Sequence, residues 1–235
     1  MLYKLVIILI IAFVVLIVIV PFLLQMAGIN IVELGGARTP GMGGVLIRSD
    51  DGAATWRNAA ITENPSASFP AQIFTFAFHP ANPDVLYLGG KASGLWKSTT
   101  QGVSWSKVEV APGSLDAGAD VYKIAVNTAR PNIMYVAAYQ NRRGRVFKSQ
   151  DAGASFQEMY LLPSDRYAIF DLFLHPQDEN LVMIGTGAGG LLETRDGGAT
   201  WRVIHWFTDS ITQIAVDPAD SNRIYVGVEI GRAHV

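Results

Sequence analysis

The chain has no cysteine among its 235 residues, which excludes disulfides, thiolate metal sites and a lipidated-cysteine anchor and leaves packing and strand pairing to hold the fold. Charge is sparse as well. Only 16% of residues are Asp, Glu, Lys or Arg and the formal net charge is -2, so nothing in the balance favours nucleic acid or a polyanionic surface as partner. No stretch after residue 28 keeps a helical period, and no Gly-rich segment opens a helix, which argues against a helical domain and a phosphate cradle. No cofactor and no metal centre is implied.

What the chain does have is one octapeptide pattern repeated four times. The copies are Ser49-Asp-Asp-Gly-Ala-Ala-Thr-Trp56, Ser98-Thr-Thr-Gln-Gly-Val-Ser-Trp105, Ser149-Gln-Asp-Ala-Gly-Ala-Ser-Phe156 and Thr194-Arg-Asp-Gly-Gly-Ala-Thr-Trp201. Starts at residues 49, 98, 149 and 194 are 49, 51 and 45 apart, the period of a propeller blade. Each copy has the chemistry of a hairpin turn. Ser49, Asp51, Ser98, Ser149, Asp151, Thr194 and Asp196 can accept backbone N–H groups within the turn, while Gly102, Gly153 and Gly198 supply positive φ. Trp56, Trp105, Phe156 and Trp201 close each copy with a large ring that anchors the outer strand.

On these residues the chain resembles the Asp-box, or BNR, repeat of sialidase-like and sortilin-like propellers. Two copies depart from the pattern: Ala53 stands where Gly is expected, with Gly52 one place early, and Thr100 replaces the Asp. Both turns are expected to be looser. The segments between the copies repeat a strand, a Pro/Asn turn, a strand and a Gly-rich turn, as in Gln72 to Pro80 followed by Val85 to Gly90. The fold class expected is therefore all-β: a β-propeller of four-stranded antiparallel blades, following an N-terminal transmembrane helix. A half-blade spans Gly44 to Ile61, three full blades run from Gln72 to about Phe207, and a last half-blade begins at Ser210. That makes about four blade equivalents, fewer than the six or more usual in such propellers, so the chain reads as a fragment of a longer ring. A four-bladed ring whose first and last halves pair is the competing reading.

Leu5 to Leu24 are twenty residues without a charge, amide or hydroxyl. At ~1.5 Å per residue they span roughly 30 Å, enough to cross a bilayer. Lys4 flanks the near end and the first basic residue beyond is Arg38, which keeps the amino terminus in the cytoplasm and puts the propeller outside. The expected organisation is a transmembrane signal-anchor at 1–26, a flexible Gly-rich tether at 27–43, the propeller at 44–228 and a tail at 229–235. That tail also translates a sequencing-library adapter and falls mid-blade, so it is expected to be non-native read-through. The localisation expected is a single pass through a bacterial-type cell membrane with an extracytoplasmic propeller.

Function is sought on the face opposite the four repeat turns, where second-to-third-strand turns and inter-blade connectors lie. Asp116, Asp120, Asp165, Arg166 and Asp209 fall on the connectors, and Arg142, Arg143 and Arg145 within the third interval. A glycoside hydrolase needs two carboxylates about 5–10 Å apart, and Asp120, Asp165 and Asp209 are the catalytic candidates. No distinctive local motif surrounds them. Arg142, Arg143 and Arg145 form the densest basic cluster and suit carboxylates on a protein partner. The repeat style over residues 44–228 also resembles the photosystem II assembly factor family and its non-photosynthetic bacterial relatives. The resemblance implies a patch that contacts a nascent membrane protein, with Arg142, Arg143 and Arg145 as its counterpart. The leading reading is a protein-binding or assembly module, with carbohydrate binding or hydrolysis second. His79 and His175, each before Pro, are expected to serve turns. Trp96 and Trp206, outside the repeats, are expected in blade packing, with sugar stacking as the alternative.

Overall fold

A computed structural model describes residues 46–64, 67–109 and 114–229. All regular structure there is β. Two short strands come first, β1 (Ile47–Arg48) and β2 (Arg57–Asn58). Three four-stranded antiparallel sheets follow. They comprise β3 (Ile73–Phe78), β4 (Leu86–Gly90), β5 (Leu95–Ser98) and β6 (Ser106–Lys107); β7 (Asp120–Val126), β8 (Met134–Gln140), β9 (Arg143–Ser149) and β10 (Gln157–Leu161); and β11 (Ile169–Leu174), β12 (Val182–Thr186), β13 (Gly190–Thr194) and β14 (Arg202–Trp206). A two-stranded hairpin of β15 (Ile211–Asp217) and β16 (Asp220–Val228) ends the series. Within each sheet, strands pair in chain order. These are the three whole and two half units that the repeat predicts. The expected membrane segment at 5–24, the tether at 27–43 and the tail beyond Glu229 lie outside the described residues. Among the described residues no helix is long and apolar enough to cross a membrane.

Hydrophobic cores form between successive sheets, because each strand alternates its side chains and both faces of each sheet meet a neighbour. Ala77, Tyr87 and Leu95 of the first sheet pack on Val121, Ile124, Met134, Val136 and Phe147 of the second. Tyr135, Ala137 and Val146 pack in turn on Ile169, Leu172, Val182 and Ile184 of the third. Met183 and Leu191 cover Ile211 and Ile214 of the last hairpin. Full burial of each Val, Leu, Ile, Phe or Met among these contributes about 1.5–3 kcal/mol, so the array is held by its inter-sheet seams. Gly89 and Gly185 let the seams close, since a Cβ at either would overlap Val121 or Ile211 of the next first strand.

The first strands β3, β7, β11 and β15 pack side by side in that order. Each breaks register with its partner at the same level: between Ile73 and Thr75, Val121 and Lys123, Ile169 and Asp171, and Ile211 and Gln213. A β-bulge thus recurs four times, with Phe74, Tyr122, Phe170 and Thr212 as the extra residue.

Candidate functional site

Antiparallel order puts the first-to-second and third-to-fourth turns at one end of every sheet. That end is tied together by main-chain bonds: Gln101 N to Asp84 O and Ala152 N to Asn132 O at 2.9 Å, and Gly197 N to Asn180 O at 3.0 Å. Within the repeat turns the opening hydroxyl accepts a main-chain N–H four residues on, at 2.8 Å for Ser49 and Ala53, Ser98 and Gly102, and Ser149 and Gly153, and 2.9 Å for Thr194 and Gly198. The carboxylates of Asp51, Asp151 and Asp196 each accept both the N–H and the hydroxyl of the residue four places on, Thr55, Ser155 or Thr200. Those bonds favour the ionised form. Asp51 is lowered to about 2, first by the Thr55 hydroxyl and then by the Thr55 N–H and the Ser49 hydroxyl. Asp151 and Asp196 are lowered by the equivalent bonds.

The two departures are not looser in their hydrogen bonds. Ala53 itself takes up the left-handed conformation, with φ 73°, beside Gly52 at 69°. At the second copy the Thr100 hydroxyl replaces the carboxylate and accepts Ser104 N at 2.9 Å. His79 and His175 lie on this end too. Their Nδ1 atoms accept Ala81 N at 3.3 Å and Gln177 N at 3.2 Å, a turn role.

The opposite end carries the chemistry left over. At the β8–β9 hairpin Gln140 pairs with Arg143, so Asn141 and Arg142 form a two-residue turn, and both have positive φ, 50° and 65°. Arg166, on the connector to β11, is also left-handed at 68° and donates its main-chain N–H to Arg142 O at 2.6 Å. Left-handed conformations in two bulky residues cost energy that surrounding contacts must hold in place. A second contact crosses the same gap, from the Arg142 guanidinium to Asp165 at 3.2 Å. Arg145 pairs with Glu158 further along the sheet. Arg143 and Arg166 make no side-chain ion pair among the described residues.

The three catalytic candidates sit at three successive inter-sheet junctions of this end. Asp120, opening β7, accepts Ala92 N at 2.6 Å and so holds the β4–β5 turn, where Ala92 has φ 49°. Asp165 is engaged by Arg142. Asp209 precedes β15, and its main-chain carbonyl lies against Gly189. Asp116 completes the set, its N–H bonded to the Gln140 side chain at 2.7 Å. Among the described residues no group of three or more His, Cys, Asp or Glu side chains could hold a metal ion.

The bulges bring together residues that the sequence reading missed. Phe74 stacks on Tyr122 with centroids 4.8 Å apart and planes 2° apart, and Tyr122 meets Phe170 edge-on at 5.1 Å. All three are half-buried at the connector end of the first strands. Burial pushes the Tyr122 hydroxyl up, with Asp120 and Tyr139 adding to it. One position further along, Lys123 pairs with the buried Asp171 at 2.7 Å, and the other Asp171 oxygen accepts Ile214 N at 2.6 Å. One carboxylate therefore joins three neighbouring first strands. The available signal was the even placement of the rings at 74, 122 and 170. Of the two tryptophans outside the repeats, Trp96 is fully buried and donates to Ser93 O at 3.1 Å, whereas Trp206 is exposed.

No protein-family model matches the chain. The xyloglucanase Xgh74A of Acetivibrio thermocellus is 38% identical over 76 residues, which are 31% of this chain and 9% of the relative. The VPS10 domain-containing receptor SorCS2 of Homo sapiens is 27% identical over 153 residues, 65% of this chain and 12% of the receptor. The chain thus spans only a small part of the curated relatives it matches. Among solved structures, the GH74 xyloglucanase of Xanthomonas campestris aligns with TM-score 0.56 and 21% identity over 74% of this chain and 29% of that one. YCF48 bound to D1 peptide aligns with TM-score 0.51 and 14% identity, over 63% and 45%. At such identities the likeness speaks for architecture, and by its sheets and its neighbours the chain is an all-β, propeller-like protein.

Proposed function

We propose that this chain is an Asp-box propeller held to a bacterial-type membrane by residues 5–24, with its sheets on the extracytoplasmic side, acting as a protein-binding or assembly module. One observation carries the reading: the Arg142–Arg166 clasp holds two left-handed arginines at one junction, where among the described residues the Arg143 and Arg166 guanidiniums make no ion pair. Guanidinium forks suit a peptide that brings carboxylates. Asp120 and Asp165 are meanwhile spent on a turn and an ion pair, which disfavours them as a facing acid–base pair. YCF48, a neighbour in fold, is known bound to a peptide, in keeping with this use of the architecture.

Carbohydrate binding or glycoside hydrolysis is the second reading, favoured by the xyloglucanase relatives and by the exposed Trp206. The test presents the full chain in nanodiscs with a fluorescent acidic peptide and, separately, with a xyloglucan oligosaccharide. Peptide binding weakened about tenfold or more by Arg143→Ala with Arg166→Ala is expected. Oligosaccharide binding or sugar release that the two substitutions leave untouched would reverse the order of the two readings.

A further inference from the structure

The connector end changes sign across the second whole sheet. At the junction with the first sheet the connector carries Asp116 and Asp120 against a single lysine, Lys91 of the β4–β5 turn, and among the described residues none of these makes an ion pair. Residues 110–113, which lead into that connector, bring no charged side chain. At the junction with the third sheet Arg142, Arg143 and Arg166 stand against one acid, Asp165, which Arg142 engages. The strand between the two junctions, β7, has β3 on one side and β11 on the other.

Strand pairing sets the distance between the two charges. Asp120 opposes Tyr139 on β8, and Tyr139 opposes Gly144 on β9, next to Arg143. Two strand spacings, about 10 Å, therefore separate the acid from the arginine strand.

The acidic side has the chemistry to hold a long basic side chain. One Asp120 oxygen accepts Ala92 N, and the carboxylate has no cation among the described residues. Burial pushes the Tyr122 hydroxyl up, and Asp120 and Tyr139 add to it, which places both tyrosines near that carboxylate. Both are half-buried, and among the described residues neither hydroxyl has a hydrogen-bond partner. The Phe74–Tyr122 stack supplies an apolar wall. A lysine or arginine matches this set, with an apolar stem for the rings and a charged head that donates to oxygen. The neighbouring Lys123 is committed to Asp171. A stacked sugar fits less well, because the Tyr122 ring is already engaged by Phe74 and Phe170.

We propose that this end binds a bipolar peptide segment, its acidic side chain on Arg143 and Arg166 and a lysine or arginine about three residues away laid along Phe74 and Tyr122 with its head on Asp120. The proposal rests on the protein-binding reading and adds a second, cation-binding subsite to it.

The test uses the full chain in nanodiscs and fluorescent peptides with one Lys and one Glu three places apart, in both orders, each paired with a counterpart in which norleucine replaces Lys. The better Lys peptide is expected to bind about tenfold or more tighter than its norleucine counterpart. Asp120→Asn should abolish that advantage while changing norleucine-peptide binding less than about twofold, since the amide oxygen still accepts Ala92 N and holds the turn. Arg143→Ala with Arg166→Ala should weaken both peptides. Equal binding of the Lys and norleucine peptides, still weakened by the arginine substitutions, overturns the cation subsite and leaves the protein-binding reading standing. Binding of neither peptide overturns both. Binding of a xyloglucan oligosaccharide that Tyr122→Leu abolishes would assign the rings to a sugar and also overturns the proposal.

Discussion

Replacing Lys123 by Met removes the cation from an almost wholly buried carboxylate. The Asp171 side chain is 4% exposed, whereas that of Lys123 is 39% exposed. Breaking a fully buried pair costs about 3–5 kcal/mol, and because the ammonium half is more than one-third exposed, solvent screening brings the expected loss to roughly 2 kcal/mol. Asp171→Asn behaves differently. The amide oxygen still accepts the Ile214 N–H, so the loss is that of a weakened hydrogen bond, about 1 kcal/mol. The informative variant carries both changes. With no charge left at 171 there is nothing for Lys123 to neutralise, so Lys123→Met with Asp171→Asn should sit near the single Asn variant, about 1 kcal/mol more stable than Lys123→Met alone. Urea unfolding of the full chain in detergent, compared at constant m, measures all three. If the two losses simply add, the argument that this carboxylate links β7, β11 and β15 is refuted.

Asp51, Asp151 and Asp196 have folded-state values below their ordinary 3.8, so they add stability that is complete above about pH 4 and is lost as pH falls through the folded values, near 2 for Asp51. Urea midpoints should drop across that acid range, and a triple Asp→Asn variant should show a flatter drop; an identical acid limb would dismiss the turns as its source. Gly189→Ala, where φ is 85° and a Cβ would overlap the Phe207 carbonyl, should cost about 3 kcal/mol or more, against about 1 kcal/mol for Gly52→Ala, where φ is 69° and the space is open. Equal midpoints for the two alanine variants would refute the steric part. Tyr135→Phe should cost about 1 kcal/mol through loss of the hydroxyl bond to Gly197 O, checked by the same unfolding midpoint.

Most of the strand framework could be read locally. Turn chemistry and alternation predict a strand within Gln72 to Pro80, and β3 occupies Ile73–Phe78. The candidate site was legible only in its parts, because its chemistry is made by contacts across the chain. Asp120 looks like a free connector acid until Ala92 is seen bonded to it, and Asp165 until Arg142 reaches it. Asp171 stands in sequence as a lone acid within an apolar strand. Its partners Lys123 and Ile214 come from the strands on either side, and no local pattern announces such a bridge. The bulges escaped for a similar reason: an extra residue in an apolar strand changes register without changing composition.

The repeated bulge also bears on how such a chain can change. Side-chain direction in a strand has period two, so a one-residue insertion or deletion normally turns the rest of the strand inside out. Here the spare residue sits near the connector end of each first strand, ahead of the levels where Ile124, Leu172 and Ile214 enter the seams. Length changes in the connectors can be absorbed there, leaving the inward set of every sheet as it was. One end of the molecule is thereby free to vary in loop length and residue type while the seams that hold it together stay in phase.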